Sequence, residues 1–238
     1  EEESDHAEDI TEAVEVYWQQ ELAIYDVHVI DKKGIFLNEK EFLPHEVVYR
    51  LPPQISDAGT RVEQVRRDLE RLVRMGVNVI RLEGTGTGAE GVNCSEVRTF
   101  YSLCRKRGFL TGDLWIRPEN LPVYRGLSGE TAEDALLSAD GRTLTERYYY
   151  YQAKWSSEPV LYPVLSTLHR QENGLLSLTI YSNQKKVVLY VDGVLFLFQS
   201  AASGDPEFIF EDIPVAKLPL HLAAEAGNLS ISLTVTKL

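Results

Sequence analysis

The segment TRVEQVRRDLERLVRMGVNVIRL, residues 60–82, determines the fold class of this chain. Thr60 followed by Glu63 forms a capping box, which predicts the start of a helix. Apolar residues then recur at helical spacing, namely Val62, Val65, Leu69, Leu72 and Val73. Gly76 predicts the end of that helix, because glycine readily adopts the left-handed conformation that comes after a last turn. The apolar run 77–82 predicts a short strand covered on both faces, as in a parallel sheet.

The same alternation continues on both sides of this segment. A glycine-rich loop at 84–88, a helix over 95–107 and a strand over 109–115 come after it. The order β-α-β-α-β predicts a parallel sheet with right-handed connections. Before it, the alternating stretches 14–18 and 22–30 predict two strands, and residues 34–43 predict a hairpin that turns at Asn38-Glu39-Lys40.

Three motifs in this half resemble glycoside hydrolase family 2, the β-galactosidase and β-glucuronidase family. GIFLNEKEFL (34–43) is similar to the family's G-F-x-L-N-G-K hairpin before the catalytic barrel. RDLERLVRMGVNVIR (67–81) resembles its D-x-x-x-x-K-x-x-G-x-N-x-I-R, and FYSLC with RGFL (100–110) resembles its F-Y-x-L-C-D-x-x-G-F-L. The resemblance implies the beginning of a (β/α) barrel.

The second half resembles the region after the barrel in the same family. YYYYQAKWS (148–156) is similar to the A-Y-Y-Y-Q-A-x-W-S that marks the barrel exit. Independently of the family, residues 158–238 show short strands with turns every eight to twelve residues, which predicts an antiparallel sandwich. Asp192-Gly193 between two apolar runs predicts a type I′ hairpin. We interpret the tyrosine run itself as packing between the two domains rather than as a binding face.

The two halves leave too little chain for a complete barrel. A closed eight-unit barrel occupies ~250 residues, whereas this chain has 238 residues in all and room for about three units between the hairpin and the sandwich. The fold class predicted is therefore α/β plus all-β, with a truncated barrel-like unit followed by an immunoglobulin-like sandwich. The predicted domains are an acidic tail at 1–13, the barrel-like unit at 14–115, an irregular linker at 116–147 and the sandwich at 148–238.

The truncation removes the strands that carry catalysis in the family. Retaining glycosidases need two carboxylates about 5–5.5 Å apart, and the resemblance implies that both are glutamates on later barrel strands. The Asn38-Glu39 pair mimics the family's Asn-Glu motif but lies in the leading hairpin. No catalytic residue is therefore predicted.

Four polar or aromatic residues remain at the predicted strand ends as candidates for a remnant substrate cleft: Arg81, Glu83, Asp113 and Trp115. The simpler interpretation makes Arg81 and Asp113 a structural ion pair, Glu83 a solvated loop carboxylate and Trp115 a packing residue. The glycine-rich loop lacks the Gly-Lys-Ser/Thr of a phosphate-binding loop, which favours a packing or flexibility role.

The composition of the chain disfavours several classes of partner. The net charge of −12 disfavours nucleic acid and anionic membrane surfaces as partners. The apolar runs are shorter than a membrane span.

Cys94 and Cys104 lie at opposite ends of one predicted helix, too far apart for a disulfide, and Cys104 falls on its apolar stripe. No metal site or cofactor is predicted. The acidic start without Met suggests an exported chain from which a leader has been removed.

We therefore expect a non-catalytic protein that resembles family 2 and binds carbohydrate or serves in an assembly. Two alternatives stay open. One is an active glycosidase whose carboxylates come from elsewhere, for example Glu83 with Glu119 or Asp113; the other is an internally deleted fragment of such an enzyme. A three-stranded open sheet would leave edges and an apolar face uncovered, so we also expect a homodimer or a protein complex.

Overall fold

The computed structural model describes residues 26–30, 34–52, 58–83, 94–111, 122–125, 135–138 and 140–237. The chain divides into two compact units, residues 1–43 and 44–238. Of the early strands predicted from the sequence, the segment 14–18 lies outside the described residues.

The first unit contains a small antiparallel sheet. Its strands are β1 (Val27–Ile30), β2 (Gly34–Leu37) and β3 (Lys40–Phe42). Asn38 and Glu39 connect β2 to β3 with φ of 48° and 67°, the backbone of a two-residue hairpin turn. The side chain of Asn38 accepts a hydrogen bond from the backbone N–H of Asp26 at 3.0 Å. The predicted hairpin is confirmed, and the Asn-Glu pair is part of its turn.

The second unit begins with a parallel sheet and its helices. The elements in chain order are β4 (Glu46–Arg50), α1 (Ala58–Met75), β5 (Val79–Glu83), α2 (Cys94–Lys106), β6 (Leu110–Thr111), β7 (Val123–Arg125), β8 (Ala135–Leu137) and α3 (Glu146–Trp155). Helix α1 buries Leu69 and Leu72 completely, as its spacing predicts, while Val73 lies at the rim of the apolar stripe and is 49% exposed. The Cys104 thiol is free and fully buried in this core, and burial raises its pKa to about 12.

The strand order of this sheet is β6-β5-β4-β7-β8, all parallel. The chain therefore adds β5 and β6 on one side of β4, then returns and adds β7 and β8 on the other side. This is the 3-2-1-4-5 order of doubly wound sheets. The place of β7 beside β4 is also the place that the last strand takes in a closed barrel.

The prediction of a three-stranded sheet was wrong. Both additional strands lie within 116–147, the stretch predicted to be a linker. Each has only three residues, which is too short for strand periodicity to register in a sequence rich in Pro and Gly. Strand β7 nevertheless pairs directly with β4, because the backbone N–H of Val48 donates to the carbonyl of Pro122 at 3.0 Å.

A buried carboxylate on α1 holds β7 next to β4. Asp68 is fully buried and accepts hydrogen bonds from the hydroxyls of Tyr49 on β4 at 2.9 Å and Tyr124 on β7 at 3.2 Å. The two tyrosine rings stack with centroids 5.6 Å apart. Arg71, one turn along α1, lies 3.6 Å from the same carboxylate and balances its charge. A buried carboxylate needs such partners, so Asp68 favours the pairing that supplies both hydroxyls.

The C-terminal end of helix α3 packs against the C-terminal end of α1 at Gly76. A methyl group at Gly76 would lie 2.4 Å from the carbonyl oxygen of Trp155, and the glycine has φ of +86°. The imidazole of His45 stacks on the Trp155 indole with centroids 5.1 Å apart and bonds the Gly76 carbonyl at 2.9 Å. Only glycine allows this approach, so the helix stop read from the sequence is also a packing site.

The rest of the unit is a β-sandwich of two antiparallel sheets. Its strands are β9 (Leu161–Arg170), β10 (Leu176–Ser182), β11 (Lys186–Val191), β12 (Val194–Ser200), β13 (Glu207–Ile213), β14 (Leu220–Ala226) and β15 (Leu229–Val235). The sheet orders are β13-β10-β9 and β12-β11-β14-β15. Asp192 and Gly193 have φ of 48° and 80°, which confirms the predicted hairpin between β11 and β12.

The tyrosine run is helical and joins the α/β layer to the sandwich. Tyr148 belongs to the α/β core and donates to the carbonyl of Arg71 at 2.8 Å. Tyr149 stacks on Tyr162 of β9 with centroids 3.7 Å apart, and Tyr150 meets Tyr181 of β10 edge-on at 5.5 Å. These contacts support the interpretation of the run as packing between the two parts. The predicted sandwich start at 148 falls within α3, and the first sandwich strand begins at Leu161.

Exposed apolar side chains concentrate on the edge strand β12. Four of its seven residues are large, apolar and 42–69% exposed, namely Val194, Leu195, Leu197 and Phe198. They lie at the end of the four-stranded sheet. Within the described part of the chain, this strand offers more apolar surface for association than any other strand.

We predict that Tyr124→Phe lowers the free energy of unfolding by roughly 1.5–3 kcal/mol, because it removes a buried hydrogen bond to a charged group. Chemical denaturation of purified variants would measure it. The matched control is Tyr190→Phe, which removes a 3.1 Å hydrogen bond to Glu225 at the surface of the sandwich. Equal losses for the two variants would contradict a dominant role for Asp68.

Candidate functional site

The sequence-predicted site residues fall into two groups. Arg81 and Glu83 lie on β5, whereas Asp113 and Trp115 lie outside the described residues. Of the four predicted residues, the surroundings of Arg81 and Glu83 are the ones that can be described.

Both side chains project from one face of the parallel sheet. The opposite face is apolar: Val47, Tyr49, Ile80 and Leu82 pack in the core that includes the helix residues. Because side chains alternate along a strand, the other face carries Glu46, Val48 and Arg50 from β4 and Val79, Arg81 and Glu83 from β5, in register. In a closed barrel this would be the face that points into the lumen.

The four charged residues of this face form two ion pairs between β4 and β5. Arg81 donates through Nε to Oε1 of Glu46 at 2.8 Å, and its Nη2 lies 2.7 Å from the same oxygen. The Glu46 side chain is 3% exposed and that of Arg81 13%. Arg50 bonds the carboxylate of Glu83, with the two side chains 19% and 49% exposed. The sequence predicted an ion pair of Arg81 with Asp113, which lies outside the described residues; within them, Arg81 pairs with Glu46.

These pairs determine what the face can do chemically. A carboxylate that must donate a proton or attack carbon works in a pair with a second carboxylate, while Glu46 and Glu83 each face a guanidinium. The arrangement is that of a structural charge ladder.

A concavity with a volume of about 720 Å³ lies between α3 and the sandwich. We call it the tyrosine groove; its lining consists of Ser138, Thr143, Leu144, Thr145, Glu146, Arg147, Tyr150, Tyr151, Tyr162, Val164, Ser166, Thr167 and Tyr181. Sequence reasoning did not find it, because three separate segments form it. The one available signal was the tyrosine run, two of whose rings face the groove.

The groove contains polar groups in fixed positions. Glu146, in the first turn of α3, accepts hydrogen bonds from the backbone N–H of Ser166 at 3.0 Å and from the Ser166 hydroxyl. The pKa of the Tyr181 hydroxyl is raised to about 12, first by burial and then by the charges of Glu207 and Glu146. Tyr181 therefore keeps its proton at neutral pH.

The described residues were also compared with the requirements of a metal site and of a membrane span. These residues contain no group of three or more His, Cys, Asp or Glu side chains able to hold a metal ion. None of the helices described has both the length and the apolar content of a membrane-spanning helix.

Comparison with solved structures finds proteins that share this architecture. The FMN-binding β-glucuronidase from Facaelibacterium prausnitzii L2-6 matches 90% of the chain with a TM-score of 0.59 at 14% identity. β-Glucuronidase 2 of Bacteroides uniformis matches 90% at 0.62 and 13%, and a putative β-galactosidase from Bacteroides fragilis matches 91% at 0.58 and 12%. The chain shares its fold with these glycosidase structures. The resemblance to glycoside hydrolase family 2 is thus confirmed at the level of the fold.

The chain is much shorter than the proteins that it matches. The chain covers 59%, 48% and 57% of those three proteins, about half of each. No protein-family profile matches the sequence, and no curated protein matches it either. The comparisons therefore bear on the fold, while the activities of the matched proteins remain theirs.

We predict that Glu46→Gln destabilises the protein much more than Glu83→Gln. Breaking a buried ion pair by removing one charged partner costs about 3–5 kcal/mol, and the Glu46 side chain that pairs with Arg81 is 3% exposed. The pair of Glu83 is half exposed and should contribute about 0.2–1 kcal/mol. Denaturant titrations of the two variants would test this; a larger loss for Glu83→Gln would contradict the structural interpretation of the ladder.

Proposed function

We propose that this chain is a non-catalytic protein of glycosidase fold that binds carbohydrate. The observation that carries the proposal is the charge ladder. Both carboxylates on the described lumen-type face, Glu46 and Glu83, are bound by arginines of the neighbouring strand. A face organised in this way stabilises the sheet and has no free carboxylate pair of the kind glycoside hydrolysis needs.

Carbohydrate is the ligand class favoured by the fold and by the surface. The matched structures are named as β-glucuronidases and a putative β-galactosidase. Fold alone does not give function, but the tyrosine groove supplies aromatic rings and hydroxyl groups together, which suits a sugar. The immunoglobulin-like character of the sandwich is part of this proposal and is supported by its three-plus-four strand arrangement. An exported location remains a prediction.

We predict no hydrolysis of aryl β-galactosides, β-glucuronides or β-mannosides, but measurable binding to a glycan array or in calorimetric titrations. The contrary hypothesis is an active glycosidase that uses Glu83 with Glu119 or Asp113, of which the last two lie outside the described residues. Turnover by the purified chain that disappears in Glu83→Gln would support that hypothesis and overturn ours. Turnover of the purified chain that persists in Glu83→Gln would also contradict our proposal and would assign catalysis to other carboxylates of the chain.

We propose self-association through β12 as a second role, in keeping with an assembly component. The observation that favours it is the row of exposed apolar residues on this edge strand. An edge strand presents backbone groups to a further strand. Antiparallel pairing of two copies about a twofold axis places residue i of one strand opposite residue j of the other and the reverse, so the apolar residues of one β12 would meet those of its copy. The charged face makes the parallel sheet a poorer interface than β12.

We predict that the wild-type chain dimerises in a concentration-dependent way and that Leu195→Lys with Leu197→Lys makes it monomeric. Lysine on an edge strand opposes strand pairing. Multi-angle light scattering over a concentration series would measure the mass. The control is Val73→Lys on α1, where the wild-type residue is 49% exposed, comparable with 55% for Leu195 and 42% for Leu197. A monomeric wild type, or a double variant that still dimerises, would contradict the proposal.

A further inference from the structure

We propose that the tyrosine groove is the binding site and that its ligand is a short neutral oligosaccharide. This inference rests on the proposed carbohydrate-binding function and adds the place and the ligand class. The groove is separate from the lumen-type face of the sheet, because α3 and the sandwich strands β9 and β10 form it.

The size of the groove fits a ligand of a few sugar rings. Its volume of about 720 Å³ lies within the range of roughly 300–1,000 Å³ typical of small-molecule sites. One wall is the first two turns of α3, from Glu146 to Tyr151. The facing wall consists of β9 and β10, and Ser138 and residues 143–145 complete the lining.

The lining combines two kinds of group that a sugar requires. Four tyrosines contribute aromatic surface, namely Tyr150, Tyr151, Tyr162 and Tyr181. The face of an aromatic ring is electron-rich, and it attracts the C–H hydrogens on one side of a pyranose ring. Five hydroxyl side chains lie beside them, namely Ser138, Thr143, Thr145, Ser166 and Thr167. Four of them, all but Thr143, already donate their proton within the protein, so toward a sugar they act as hydrogen-bond acceptors.

Several of these side chains are fixed before any ligand arrives. Tyr162 is stacked on Tyr149 at 3.7 Å, and Tyr150 is held edge-on against Tyr181 at 5.5 Å. Glu146 is tied to Ser166 of β9. Side chains that are already ordered lose little conformational entropy on binding, so this groove is prepared for a ligand rather than formed by one.

The charge of the lining favours a neutral ligand. Glu146 and Arg147 are the acidic and basic residues of the groove, one of each. Neither a polyanion nor a polycation finds a matching field there, and the net charge of −12 on the chain repels anionic polymers. A neutral polyhydroxylated ligand requires no such field.

The test measures calorimetric binding of the whole chain to a panel of neutral trisaccharides: cellotriose, mannotriose, xylotriose and galactotriose. The groove variants are Tyr150→Leu, which removes a ring but keeps an apolar side chain, and Thr143→Trp, which fills the groove from an exposed position. The controls are Tyr190→Leu and Thr236→Trp, the same changes on the sandwich away from the groove. Thermal unfolding of each variant verifies the fold.

We expect at least a tenfold loss of affinity in both groove variants and less than twofold change in the controls. Hydrogen exchange of the wild type with saturating sugar should show protection in 143–151 and 162–167. Binding that is unchanged in both groove variants would overturn the groove as the site and leave the proposed function standing. Absence of binding to every sugar of the panel and to a wider glycan array would overturn both.

Discussion

The buried carboxylate of Asp68 is the interaction on which the α/β half depends. It brings α1, β4 and β7 together through the hydroxyls of Tyr49 and Tyr124. Desolvating a carboxylate is costly unless hydrogen bonds and an opposite charge compensate it. The sheet order that places β7 beside β4 meets this requirement, since it brings the second hydroxyl and the stacked tyrosine ring to the same point. Arg71 completes the compensation.

The order of the strands around β4 also bears on the charged residues of the lumen-type face. A closed barrel surrounds its inner face with strands, and the side chains on that face can be organised around a substrate. In this five-stranded sheet, with β6 and β8 at its two ends, the same face presents Glu46, Arg50, Arg81 and Glu83 in neighbouring strands. Opposite charges side by side across a strand pair stabilise the sheet and keep that face polar. The sequence predicts an apolar face that needs covering; the ion pairs account for the difference.

The sequence predicted the elements whose signals are local. The helix α1, its stop at Gly76, β5, the two hairpins and the role of the tyrosine run all come from patterns within about twenty residues. The strands β7 and β8 could not be predicted, because three residues carry no periodicity and their pairing depends on Tyr124 reaching a carboxylate far away in the chain. The pairing of Arg81 with Glu46 was not predicted for a related reason: Glu46 precedes Arg81 by 35 residues, and strand register rather than sequence proximity joins them. The tyrosine groove was missed because its walls come from separate segments.

The contact between Gly76 and the backbone of Trp155 has a consequence for biosynthesis. The ribosome releases α1, β4 and β5 well before it has made α3, so the N-terminal layer must wait with the end of α1 and the site for Tyr148 unfilled. Because Tyr149 and Tyr150 of the same helix dock on β9 and β10, α3 packs against both the early and the late parts of the chain. Translation that stops before residue 155 would therefore yield a polypeptide with an incomplete core, an evident substrate for chaperones and proteases.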